Sequence, residues 1–222
     1  MYFVPLKIVG RNPAGLDAAT RLAAYEMLMA ELNRTHLGQG MDIVWHNRRA
    51  VEATEAEYLE MCACKTGCLG RIVARLAAIV TGNGAEEGHV ARYAESMSVA
   101  FQIADDVLDV EHAMERGGAF GKGAGNDVRE GKKTLMVIRA VRDADVGTAA
   151  RLEGILAAEE NTDEEVLEAV EILHSVGAVE STRETAAELA AEARAHLERA
   201  DLDPDTTEQL AAFTRFVVDR EV

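Results

Sequence analysis

The chain has 222 residues, 48% of them hydrophobic and only 5% aromatic, and carries a formal net charge of −16. That length suits one large domain or two small ones, and that apolar share excludes global disorder, while few aromatics favour packed helices over sheet. So acidic a surface excludes nucleic acid and anionic lipid as default partners, and no apolar run of about 18 residues offers a transmembrane segment.

Prolines stand at 5, 13 and 204 only, so a long proline-free stretch runs between. Apolar periodicity predicts helices over 15–46, 54–81, 86–114, 133–158, 163–174, 178–199 and 205–219. In the second, Leu59, Cys62, Leu69, Ile72, Val73, Leu76 and Ile79 recur at three- and four-residue intervals. Thr54 with Glu57 and Thr162 with Glu165 have capping-box spacing. The glycine-rich segment 117–131 is the longest expected loop. The expected fold is all-α, in one domain over 1–222.

Gly38-Gln39-Gly40-Met41-Asp42 places two glycines within a helix, which points to close helix packing, to a ligand or to a kink. Cys62, Cys64 and Cys68 fit small buried helix residues better than a zinc site, since no fourth ligand is near. Free thiols and no signal peptide point to a cytoplasmic protein. Lys65-Thr66-Gly67 sets a lysine in an apolar helix, either paired or snorkelling. Asp105 and Asp109 are i and i+4, with Gln102 on the same face and Asp106 beside them. Like charges so placed oppose each other, and either Mg²⁺ or plain solvation would relieve them.

Gly121-Lys122-Gly123-Ala124-Gly125-Asn126-Asp127, continuing to Gly131-Lys132-Lys133-Thr134-Leu135, combines backbone access with positive charge but lacks P-loop spacing. Of the five lysines (7, 65, 122, 132 and 133), four fall in these motifs, although the chain otherwise uses arginine.

In order, G-Q-x-x-D, K-T-G, F-Q-I-x-D-D-x-L-D and G-K-x-x-G-x-D-x-x-x-G-K-x-T-L resemble the polyprenyl synthetase family, the trans-isoprenyl diphosphate synthases, over nearly the whole chain. Met136 departs from the proline usual after T-L. The resemblance implies a bundle of long helices around a central cavity. It implies condensation of an allylic diphosphate with isopentenyl diphosphate, in a homodimer. Carried over, Asp105 and Asp109 would ligate Mg²⁺ with Asp106 supporting. Lys65 and Lys122 would hold the diphosphate, with Lys132 close by in the substrate site. Thr66 and Gln102 would steady the carbocation, and Gln39 and Asp42 would line the pocket and orient Lys65.

The family's first D-D-x-x-D, the arginine pair after it and the N-terminal grip on isopentenyl diphosphate have no counterpart here. The opening residues resemble the middle of a family member, so roughly the N-terminal third is expected to be absent and the chain as given to have little synthase activity. Two alternatives stand beside a truncated synthase. One is a non-catalytic subunit or diphosphate-binding partner of a complete homologue. The other is a class I terpene cyclase, for which the N-D-x-x-S-x-x-x-E motif is missing, Gly131 and Thr134 standing at its serine-to-glutamate stretch.

Overall fold

The computed structural model describes residues 4–47, 53–115 and 125–218. These are helical, with no strand among the described residues. The helices are α1 (Val4–Arg11), α2 (Ala18–Asn47), α3 (Glu55–Cys62), α4 (Cys68–Thr81), α5 (Glu87–Glu115), α6 (Asn126–Arg129), α7 (Leu135–Asp143), α8 (Val146–Ala157), α9 (Asp163–Ser175), α10 (Ala178–Leu197) and α11 (Pro204–Val218). A π-helical segment, Ala63–Gly67, joins α3 to α4.

The expected all-α class holds, and both capping boxes form as read, at Thr54 with Glu57 and at Thr162 with Glu165. Four expectations need correction. The helix expected over 133–158 is two helices. Ala144 is extended, and the Asp145 side chain accepts from the backbone N–H groups of Gly147 and Thr148, so a new N-cap begins there. The helix expected over 54–81 is one continuous path, but its middle turn is π-helical. The loop expected over 117–131 contains the short α6, and α1 precedes the first expected helix.

α5 is the centre of the assembly. It packs against α10 along its length and against α4 and the π segment on another side, and α2 closes over α4 and the π segment. Its C-terminal half joins α7, α8, α9 and α10 in a core of Val107, Val110, Met136, Leu152, Ile155, Val170 and Leu173. Its middle meets Trp45, Tyr58, Met61 and Leu135 through Val99 and Ile103. Met136, where the family usually has proline, is fully buried in the first of these cores. Among the described residues, no helix is long and apolar enough to cross a membrane.

Polar pairing ties α2 to this frame. Glu31 is buried on α2, where its carboxylate accepts from Arg71 Nε at 2.9 Å and Arg75 Nη1 at 2.8 Å. Arg71 also pairs with Glu95 on α5, and Arg75 with Glu87. The network spans α2, α4 and α5.

Candidate active site

The G-Q-G-M-D motif works through Gly38 and Asp42. A Cβ at Gly38 would lie 2.5 Å from the backbone nitrogen of Lys65 and 2.7 Å from the carbonyl carbon of Cys64. Only glycine lets α2 approach the π segment so closely. One helical turn on, Asp42 Oδ2 accepts from Lys65 Nζ at 2.6 Å. π-turns widen a helix locally and occur often at functional sites. This one carries Lys65 and Thr66 to a cavity of about 220 Å³.

α5 supplies the opposite wall. Thr66 Oγ1 donates to Gln102 Oε1 at 3.2 Å, and Gln102 Nε2 donates to Asp106 Oδ1 at 3.0 Å. Asp106 is 2% exposed and takes two more donors, Tyr58 Oη on Oδ2 at 2.8 Å and Lys132 Nζ on Oδ1 at 2.9 Å. Lys132 also donates to Asp127 Oδ2 at 2.9 Å. Gly131, at φ +65°, turns the chain so that Lys132 N–H bonds back to the carbonyl of Asp127, which directs the lysine toward α5.

Burial opposes the charge on Lys132, but Asp106 and then Asp127 outweigh it and hold the ammonium well above its ordinary pKa. Asp127 is pushed up to about 6. Burial and repulsion from Asp106 and Asp109 there exceed what the shared Lys132 returns. Burial pushes the Cys62 thiol, which also lines the cavity, up to about 12. Lys133 is half-buried in the cavity wall, and burial lowers its pKa.

The three aspartates are therefore separated. Asp106 faces the cavity, Asp105 is exposed, and neither Asp105 nor Asp109 lines the cavity. Asp109 accepts at Oδ1 from Asn126 N–H (3.3 Å) and at Oδ2 from Asp127 N–H (3.0 Å), which ties α6 to α5. The Asp105 carboxylate makes no hydrogen bond or ion pair with the described residues. Gln39 is half-buried on α2 and does not line the cavity. Lys122 lies outside the described residues.

The cavity also gathers residues that the motifs did not single out, notably Trp45, His46, Tyr58 and Glu130. For Tyr58 a partial signal existed: it stands four residues before Cys62, one turn down the same α-helix. Among the described residues, no three His, Cys, Asp or Glu side chains are placed to hold a metal ion. Mg²⁺ asks for less, since one or two carboxylates suffice where phosphate and water oxygens complete its octahedron. Exposed Asp105, one turn from Asp109, is a donor set of that open kind.

A family model described as Polyprenyl synthetase matches residues 2–173. This chain belongs to the polyprenyl synthetase family. Within that family, it is 35% identical over 185 residues to a short chain isoprenyl diphosphate synthase of Methanothermobacter thermautotrophicus, a match covering 83% of this chain and 54% of that protein. A geranylgeranyl pyrophosphate synthetase from Pyrococcus horikoshii superposes with a TM-score of 0.84 at 26% identity, covering 97% of this chain and 63% of that one. A polyprenyl synthase from Caulobacter crescentus, solved with calcium and isoprenyl diphosphate, gives a TM-score of 0.77 at 28% identity over 90% of this chain and 59% of that one. The chain spans about half the length of the curated relatives it matches. These likenesses bear out the isoprenoid-synthase type of helical fold.

Proposed function

We propose that this chain serves prenyl transfer in isoprenoid biosynthesis, the Mg²⁺-dependent condensation of an allylic diphosphate with isopentenyl diphosphate. One observation carries the reading: Lys65, Thr66, Gln102, Asp106 and Lys132, drawn from three separate motifs, converge on a single cavity. A diphosphate complex of the Caulobacter crescentus relative, with a hard divalent cation present, supports the substrate class.

Breaking the allylic C–O bond leaves negative charge on the departing diphosphate and positive charge on the allyl group. Lys65 and Lys132 stand in the cavity wall, where they stabilise the former as it develops. Lys122 joins them by its motif position. Asp105 and Asp109 would hold Mg²⁺, which would supply further charge neutralisation to the leaving group. Thr66 Oγ1 and Gln102 Oε1 offer oxygen dipoles to the allyl cation. Asp42 orients Lys65, while Asp106 supports the metal face from within by holding Lys132 and Gln102. Gln39 belongs to the proposal through its place in the α2 motif.

Calorimetric titration with an allylic diphosphate tests the reading. Binding is expected in Mg²⁺ and lost in EDTA. Asp105→Ala combined with Asp109→Ala should abolish it. Asp105→Asn alone should weaken it at least tenfold, and that variant leaves the Asp109 contacts to α6 in place. Undiminished binding by both variants would remove the metal from this face.

A homodimer, or pairing with a complete homologue, is part of the proposal. Leu22, Met29, Leu37, Ile43 and Val44 are exposed along one stripe of α2, an apolar surface of the kind that association buries. Sedimentation should report a species larger than a monomer. Cytoplasmic residence is proposed from the free thiols.

A further inference from the structure

Tyr58 belongs to none of the motifs, yet it is among the largest fully buried side chains of the described residues. Its helix begins four residues earlier at the Thr54 capping box, and its own N–H bonds to the Thr54 carbonyl. The ring packs in the core with Trp45, Met61, Val99 and Ile103. Only the hydroxyl has a polar task. It donates to Asp106 Oδ2 at 2.8 Å, across a sequence separation of 48 residues.

A carboxylate buried to 2% exposure is costly unless donors satisfy both oxygens. Asp106 Oδ1 has two, Gln102 and Lys132, whereas Oδ2 has Tyr58 alone among the described residues. Burial, reinforced by the negative charge of Asp106, pushes the Tyr58 hydroxyl well above its ordinary pKa, so it remains a donor.

We infer that Tyr58 is a positioning residue for the diphosphate site, acting through Asp106. This role rests on the prenyl-transfer reading above. By anchoring Oδ2, Tyr58 leaves Oδ1 turned toward Gln102 and Lys132. The Gln102 amide is thereby fixed with its nitrogen on Asp106 and its oxygen on Thr66. Lys132 meets one carboxylate oxygen of Asp106 rather than two, and shares its charge with Asp127. Without the hydroxyl, Oδ2 loses its donor, and the carboxylate turns its second oxygen onto Lys132. The ammonium is then drawn out of reach of a phosphate oxygen, and Gln102 loses the partner that sets its orientation.

The test is a double-mutant cycle on the 222-residue chain, read by calorimetry with inorganic pyrophosphate in Mg²⁺. Tyr58→Phe keeps the ring and should weaken pyrophosphate binding about tenfold, the size expected of a hydrogen bond to a charged group. Tyr58→Met, a second hydroxyl-free variant, should do the same, so the result does not depend on one replacement folding. In an Asp106→Asn background, Tyr58→Phe should change binding less than about twofold, because the two residues act in one chain of contacts. A structural defect would instead add to the Asp106→Asn effect. Wild-type binding that Tyr58→Phe leaves unchanged, or effects that multiply in the double variant, would overturn the positioning role alone. No binding of pyrophosphate by the wild-type chain would overturn the diphosphate reading itself, and this role with it.

Discussion

Gly38 and Gly40 stand two residues apart in one helix, and the structure gives them opposite roles. A Cβ at Gly38 would meet the Lys65 backbone nitrogen at 2.5 Å, about 0.9 Å inside the 3.4 Å of ordinary van der Waals contact. The next atoms, the Cys64 carbonyl carbon at 2.7 Å and its Cβ at 2.8 Å, belong to the same stiff segment. Backbone cannot rotate aside as a flexible side-chain tip would. Gly38→Ala must therefore part α2 from the π segment by close to an ångström, at an overpacking cost of about 1–3 kcal/mol. A helix-propensity gain of about 1 kcal/mol offsets part of it. At Gly40 an added Cβ meets nothing within 4 Å, so Gly40→Ala should keep that gain in full. The two variants should differ by about 2 kcal/mol, roughly thirtyfold in the folding equilibrium, with Gly38→Ala the weaker.

Function should track this difference, because the parted segment carries Lys65 away from Asp42, now 2.6 Å distant. Misplacing a binding group by an ångström costs up to about 100-fold in the rates it supports, and pyrophosphate affinity in Mg²⁺ should fall by at least about tenfold. Urea unfolding with unchanged slope measures the first effect and calorimetry the second. A Gly38→Ala midpoint at or above that of Gly40→Ala would refute the close-packing account of the motif.

Glu31→Ala should destabilise the chain by about 3–5 kcal/mol in a thermal melt, since it leaves Arg71 buried without its α2 carboxylate. Burial opposes the charge on Glu31, but Arg71 and Arg75 hold its carboxyl below the ordinary 4.5. The stability from this pair is thus present above pH 4.5 and lost as pH falls through the depressed native value, so acid should weaken wild type more than Glu31→Gln. Asp127 behaves oppositely: with its native pKa raised from 3.8 to about 6, its contribution is present below 3.8 and lost as pH rises through 6. The urea midpoint of Asp127→Asn relative to wild type should therefore rise between pH 4 and pH 7, and a flat difference would show that the carboxyl titrates normally.

The long helices were legible because their apolar residues keep step with the helical period. The capping boxes were legible because three residues suffice to define them. The break at Ala144 was not, since apolar spacing runs through it and only the Asp145 side chain decides that a new helix starts. The π turn was hidden for a related reason: it adds no unusual residue but rotates the helical turns beyond it, so the faces of Tyr58 and Lys65 could not be phased from an α-helical wheel. The aspartate triad shows the limit most clearly. Spacing put Asp105 and Asp109 on one face and turned Asp106 about 100° from Asp105 and about 60° from Asp109. It could not say which face met the cavity, and the structure gives that place to Asp106.

That division changes how an acidic chain receives an anion. Lys65 is held by Asp42, and Lys132 by both Asp106 and Asp127. Two of the cavity's three motif lysines are therefore largely neutralised before any diphosphate arrives, and a phosphate must share each of these ammoniums with a carboxylate already in place, while burial opposes the charge on the third, Lys133. Such a site is ordered but only weakly positive, set in a molecule of net charge −16. Local fields near a metal site are commonly dominated by the bound ion, whose charge reverses the electrostatics that side chains alone would give. On the proposed reading, the lysines fix geometry while the cation at exposed Asp105 supplies most of the attraction. The dependence on Mg²⁺ should then exceed the dependence on Lys65 or Lys132: EDTA should weaken pyrophosphate binding more than Lys132→Met does. The reverse order in calorimetry would show that the lysines, already paired, still provide the larger share.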